Sequence, residues 1–156
     1  MRVLYVTFGN IARRVRQELL LSVLDFNGDG IIDGVTGDPG EEVIGDGPLG
    51  ELCAAACSEV DELLGKPQGN YTVPFALPAP GAIVEIATDL VVARIGAHAP
   101  TVVVVDHVAL AREARKRLDD IRNGRRNMGE APPDPPANVG GAFYPSLGAC
   151  KNPIFG

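Results

Sequence analysis

The chain contains no apolar run approaching the roughly 18 residues that a membrane-spanning helix needs, so a soluble protein without a membrane partner is expected. Met1 to Phe8 is apolar but short, and Arg13, Arg14 and Arg16 interrupt the stretch behind it, so no secretory signal is expected either. Cysteine is scarce. Cys53, Cys57 and Cys150 form no framework with secreted spacing, and their odd number argues for a reduced, intracellular place of synthesis. Cys53 and Cys57 stand four apart on an expected helix, where burial as small apolar residues is the natural reading. Only two histidines, His98 and His107, are present, and neither has a Ser or Cys beside it in a nucleophile pattern. The Gly-rich stretches lack the Lys-Ser/Thr of a phosphate loop. Asp119 and Asp120 are adjacent on a helix, about 100° apart around its axis, and do not share a reacting bond. No enzyme is expected.

Basic residues are missing where acidic ones gather. From Asp25 to Glu62 there are eleven acidic residues and no Lys or Arg, whereas Arg112 to Arg126 holds seven basic residues against three acidic ones. The net charge of -6 disfavours a general nucleic-acid binder, which would carry a basic stripe. Charge runs are ordinarily solvated faces, but two opposite blocks in one short chain also suit contacts between neighbouring copies.

Within the acidic block, Asp25-Phe26-Asn27-Gly28-Asp29-Gly30-Ile31-Ile32-Asp33 has the oxygen spacing of a calcium loop. Asp25, Asn27, Asp29 and Asp33 occupy side-chain ligand positions, and Gly30 sits at the sharp turn. Position 12, where a bidentate carboxylate closes the shell, is Thr36. The plain alternative is an Asx-rich turn in which Asp and Asn satisfy their own backbone and Gly accepts left-handed conformations.

Helical spacing organises most of the rest. Phe8, Ile11, Val15, Leu19 and Val23 predict a first helix from about Gly9 to Leu24. Val3 to Val6 reads as a short strand or an apolar lead-in. Residues 34–48, rich in Gly and Asp without a period, predict a mobile connection. A second helix is expected from Pro48 to Leu64, with Pro48 in its first turn and Gly65 as its stop. Tyr71 to Leu77 reads as extended chain or a small strand. A third helix, from about Pro80 to Gly96, is apolar on most sides and belongs at the centre of a bundle. Val102 to Val105 favours strand locally. Asp106 then caps a fourth helix running to about Asn123, with Arg115–Asp119 and Lys116–Asp120 as surface pairs one turn apart.

The fold class expected is mainly α, a four-helix bundle over residues 1–124 with an acidic Asx/Gly loop and short β segments. Residues 125–156 hold six prolines and five glycines in 32 positions without an apolar period, which predicts an extended arm that orders only on a partner. Phe143, Tyr144, Leu147, Ile154 and Phe155 are the anchors expected to dock it, in a groove or along a strand edge.

The order of segments resembles the Mu-like prophage family of small phage head-tail proteins. The residues carrying the resemblance are the loop Asp25 to Asp33, the helix end Ser58-Glu-Val-Asp-Glu-Leu-Leu-Gly65, Tyr71-x-Val-Pro74, Val92-Ala-Arg94 and Arg117-Leu-Asp-Asp-Ile-Arg-Asn-Gly124. The likeness spans roughly residues 5 to 129. The Gly-rich connection from Gly34 to Gly47 and the apolar Val102 to Val105 depart from it. The resemblance implies a virion protein, a head-tail adaptor or head-completion connector, assembled in the host cytoplasm and located in the neck. It also implies a twelve-fold ring of copies beneath the portal protein, meeting tail or neck proteins, with packaged DNA passing through the channel.

On that reading Arg112, Arg115, Arg117, Arg122, Arg125 and Arg126 pair with acidic groups of a neighbouring copy or the portal. Asp25 to Asp46 then face another copy, or the channel, where negative charge keeps DNA from sticking. The competing reading is a calcium-dependent protein-interaction module of dockerin or EF-hand type. Dockerins carry two such loops, and this chain has one.

Overall fold

The computed structural model describes residues 3–101 and 106–128. Val102 to Val105, the arm from residue 129 onward and its anchors Phe143, Tyr144, Leu147, Ile154 and Phe155 lie outside the described residues. In chain order the elements are α1 (Phe8–Ala12), α2 (Gln17–Leu24), β1 (Val35–Thr36), β2 (Val43–Ile44), α3 (Pro48–Leu64), α4 (Gly81–His98) and α5 (His107–Arg122). The body is mainly helical, with one two-stranded antiparallel sheet in which Val35 faces Ile44 and Thr36 faces Val43.

The single first helix expected from about Gly9 to Leu24 is in fact two, so five helices stand among the described residues where four were expected. α1 opens with a capping box: the Asn10 N–H donates to Thr7 Oγ1 at 3.3 Å, and Asn10 Oδ1 accepts from the Thr7 N–H at 3.0 Å. It ends at Arg13, and Arg16 adopts an extended conformation before α2 begins. The break changes which side chains face inward. Phe8, Ile11 and Val15 are buried, but beyond the break it is Leu20, Val23 and Leu24 that are buried, while Leu19 is only half-buried. A continuous helix with a stripe through Leu19 would have left Leu20 outside.

The Gly-rich connection expected to be mobile is an ordered hairpin pinned by backbone contacts. The Gly45 N–H donates to the Gly34 carbonyl at 2.7 Å. Gly34 takes a φ of 84°, and a Cβ there would lie 2.6 Å from the Asp46 carbonyl oxygen. Gly50, in the first turns of α3, has no room for a side chain because the Gly45 carbonyl packs on it. The glycines therefore serve close approach of one backbone to another.

α3 has the expected bounds, with Pro48 in its first turn and Gly65 as its C-cap. Its buried face carries Leu49, Cys53, Ala56, Cys57, Val60 and Leu64, so both cysteines are core residues. Burial, aided by the neighbouring Cys57, pushes the Cys53 thiol up to about 12, and burial raises Cys57 as well.

α4 lies at the centre, against α1, α3 and α5. Ile83, Ile86, Ala87, Leu90, Val91, Val92 and Ile95 are all buried. α5 starts on the Asp106 cap, whose Oδ1 accepts from the Ala109 N–H at 2.9 Å, and buries Ala114, Leu118 and Ile121. Near its start α5 passes close to Gly96, where a Cβ would come within 3.1 Å of His107 Cβ. His98 ends α4 and is exposed, and His107 begins α5.

Val3 to Val6 forms no strand; it is an apolar lead-in that buries Tyr5 and Val6. The segment around Tyr71, expected as extended chain or a small strand, forms no strand: it is irregular and bent, with an isolated bridge between Gly65 and Tyr71. Tyr71 and Phe75 turn inward, and the Tyr5 ring meets Phe75 edge-on at 5.8 Å between centroids. No described helix is long and apolar enough to cross a membrane.

Candidate interaction surface

Two carboxylates organise the charged side chains that join the helices. Asp89, in the middle of α4, is 4 % exposed. It meets the Arg14 guanidinium at 3.1 Å and accepts a hydrogen bond from Arg117 of α5. A buried acid without partners is costly, so these two arginines are what make Asp89 compatible with the interior. The break after α1 is what presents Arg14 to it. Arg117 Nε is buried and has no partner among the described residues, so this group of charges is not fully satisfied.

Glu59 of α3 forms the second group. Its carboxylate accepts from Arg94 of α4 at 2.6 Å and from Arg115 of α5 at 2.5 Å. Partial burial pushes the Glu59 carboxyl up, but the Arg115 and Arg94 guanidiniums outweigh it and hold the carboxyl below its ordinary value. Hydrogen bonding to Glu59 in turn raises Arg115. Just beyond Glu59 on α3, Asp61 accepts from the Tyr5 hydroxyl, which itself accepts from the Phe75 N–H at 3.0 Å. Burial raises Asp61, and the Tyr5 hydrogen bond offsets part of that rise.

These pairs relocate several of the arginines expected to face a partner. Arg117 points inward to Asp89, and Arg115 reaches Glu59 across the helix interface instead of Asp119 one turn away. Asp119 pairs with Arg122 at 2.7 Å, and Asp120 lies 3.8 Å from Arg125 instead of pairing with Lys116. Arg112 and Arg126 are exposed and make no ion pair among the described residues. The exposed cations of this region are thus Arg112, Arg115, Lys116, Arg125 and Arg126, of which Arg115 pairs with Glu59 and Arg125 lies near Asp120.

The Asp25–Asp33 loop is closed by its own side chains. Asp25 accepts from the N–H groups of Gly28 at 2.7 Å and Gly30 at 2.9 Å. Asn27 Oδ1 accepts from the Asp29 N–H at 3.0 Å, and Asp29 accepts from the Ile31 N–H at 2.8 Å. Asp33 accepts from the Phe26 N–H at 2.8 Å and from the Asn27 amide at 3.2 Å. This is the Asx-turn arrangement, with Gly28 and Gly30 at φ of 76° and 81°. Among the described residues, no group of three or more His, Cys, Asp or Glu side chains converges as a metal site. The loop leaves Phe26 and Ile31 pointing into solvent.

The family model for bacteriophage Mu Gp36 matches residues 5–144, nearly the whole chain. The chain belongs to the bacteriophage Mu Gp36 family. Comparison with curated proteins and with solved structures gave no match. The family match takes in the described helical body and continues into the Pro/Gly-rich arm. As a member of the Mu Gp36 family the chain is a Mu-like phage protein, and its place is among the structural or morphogenetic components of the particle.

Asp89 and Glu59 are the residues that sequence reading missed. An acid inside the Ile86-Ala87-Thr88-Asp89-Leu90-Val91 run does signal a buried pair, because a lone carboxylate is not tolerated on an apolar face. Nothing in the spacing identifies its partners.

Proposed function

We propose that this protein is a non-enzymatic connector subunit of the phage neck, forming a ring below the portal and linking the head to the tail. The observation that carries the reading is the family match over residues 5–144, taken with the order of segments that resembles small head-tail proteins. The physical design suits such a part. A central helix gripped on three sides, with carboxylates joining α3, α4 and α5 through arginines, gives a stiff body able to hold position under load. The acidic loop and hairpin present negative charge that suits a surface near packaged DNA or a basic partner. The arm after residue 128 supplies Phe143, Tyr144, Leu147, Ile154 and Phe155 as docking groups for the portal or an adjacent subunit.

Mixing the purified chain with assembled portal rings tests this. Co-sedimentation of the full chain with portal, lost when the arm is cut after Gly129, is the expected result. Failure of the full chain to bind either portal or tail assemblies contradicts the proposal.

A further inference from the structure

Two patches of opposite character lie on the described surface. The first is the acidic loop and hairpin, where Phe26 is 65 % exposed and Ile31 is 58 % exposed on a stretch, Asp25 to Asp46, that holds seven acidic residues and no basic one. The hydrogen bonds within the loop fix its conformation, so its apolar side chains are held outward before any partner arrives, which lowers the entropy cost of docking. The second patch is a shallow groove of about 250 Å³ between α4 and α5, with Leu90, Ala93, Ala97, Val108 and Ala111 as its apolar lining. Val108 is 63 % exposed at its mouth. The groove is rimmed by Arg94, His107 and Arg115, and Arg112, one turn beyond Val108, carries an exposed guanidinium with no ion pair among the described residues.

The patches occupy different parts of the body. The hairpin packs at Gly50 near the start of α3, while Arg115 of the groove is tied to Glu59, nine residues along the same helix and so roughly 13 Å away. An apolar projection with an acidic surround therefore matches an apolar groove with a basic surround on another copy. Contacts between two different patches of one chain are head-to-tail and generate rings or filaments rather than closed two-fold dimers.

We propose that the Asp25–Ile31 loop of one copy seats Phe26 and Ile31 in the α4–α5 groove of the next, with the loop acids meeting Arg112 beside the groove, since Arg94 and Arg115 already pair with Glu59. This deepens the ring reading above and rests on it for its biological setting. The contact itself is independent of where the protein resides. The competing occupant of the groove is the chain's own arm. The loop is favoured because its unbroken negative charge complements the rim.

Sedimentation velocity on the full chain tests it with two double variants. Phe26→Asp with Ile31→Asp disables the projection, and Val108→Asp with Ala111→Asp disables the groove. The wild-type chain is expected to associate with rising concentration and to dissociate in high salt. Each variant alone is expected to stay monomeric, and an equimolar mixture to form a 1:1 dimer that grows no further, because one working projection and one working groove remain. Asp29→Lys with Asp38→Lys, mixed with Arg112→Glu with Lys116→Glu, provides a second pair that leaves the apolar residues intact and is expected to recover association through reversed charge. The inference is overturned by a wild-type chain that stays monomeric, by variants that associate like wild type, or by mixtures that stay monomeric. It is also overturned if only the groove variants have an effect, which would make the arm the occupant. A connector that uses another self-contact would let every variant associate like wild type and still be found in particles, so the two readings fail separately.

Discussion

Asp89, buried in the middle of α4, sits between the guanidiniums of Arg14, at 3.1 Å, and Arg117. The two arginines are not equivalent. Arg117 has a side chain only 16 % exposed, whereas that of Arg14 is 47 % exposed. Removing Asp89 by Asp89→Ala strands the Arg117 charge and is expected to cost about 3–5 kcal/mol in urea unfolding. Arg14→Ala is expected to cost less than about 1 kcal/mol, because a half-exposed pair is screened by water. Replacing both Asp89 and Arg117 by leucine is expected to recover much of the loss, since Arg117 Nε is already unsatisfied. Equal costs for Arg14→Ala and Asp89→Ala would show that Asp89 is not the organising group.

The Glu59 carboxylate gives the fold an acid-sensitive contact. Its folded value is held below the ordinary one once the Arg115 and Arg94 contributions overcome the effect of burial. A depressed acid stabilises the fold above its unfolded value, ordinarily about 4.3 for Glu, and the contribution is lost as pH falls through the folded value. At neutral pH, Glu59→Gln is expected to lower stability by about 1.5–3 kcal/mol. The gap between variant and wild type should then narrow below the ordinary glutamate range. Asp61, raised mainly by burial, works in the opposite sense and favours the fold on acidification, so the comparison must be made between variant and wild type rather than on the wild-type curve alone. A gap that does not change with pH in thermal melts would contradict the assignment.

Gly50 separates helix propensity from packing. Alanine is better than glycine in a helix by about 1 kcal/mol. At Gly50, however, a Cβ would collide with the Gly45 carbonyl of the hairpin. Gly50→Ala is expected to destabilise by about 1–3 kcal/mol, as overpacking does. Gly81→Ala, at an exposed position with nothing near the added methyl, is the control and is expected to be neutral or mildly stabilising. A stabilised Gly50→Ala protein would mean that the hairpin does not pack on α3.

Calcium separates the two readings of the acidic loop. The carboxylates of Asp25, Asp29 and Asp33 accept hydrogen bonds from the loop's own N–H groups, so the turn is closed without an ion. Calorimetry is expected to give either no heat or affinity no tighter than the roughly millimolar range of the weakest calcium modules, with no change in melting temperature on adding a chelator. Micromolar binding that raises the melting temperature would favour the interaction-module reading.

The elements that were legible are those whose ends carry their own chemistry. α3 runs from Pro48 to the residue before Gly65, and α5 starts on Asp106, because proline, glycine and aspartate act within one turn of where they stand. The central position of α4 is set by its apolar residues on all sides. The break after α1 was hidden, because Phe8, Ile11, Val15, Leu19 and Val23 keep helical spacing straight through it. What decides the break is tertiary: it buries Leu20 and brings Arg14 to Asp89. The hairpin was misread for a related reason, since glycines at Gly34 and Gly45 look like flexibility in sequence and are close backbone approach in the fold. Arg115 and Arg117 looked like surface charge because a helix pattern shows partners one turn away but not those on another helix.

The most direct measurement of the central claim is the composition and architecture of purified tailed particles, by mass spectrometry together with neck reconstruction. The expected result is this polypeptide at a fixed multiple per particle, with density for a helical ring between portal and tail, and particles stalled as separate heads and tails when its gene is deleted. Complete infectious particles that lack the polypeptide would contradict the account.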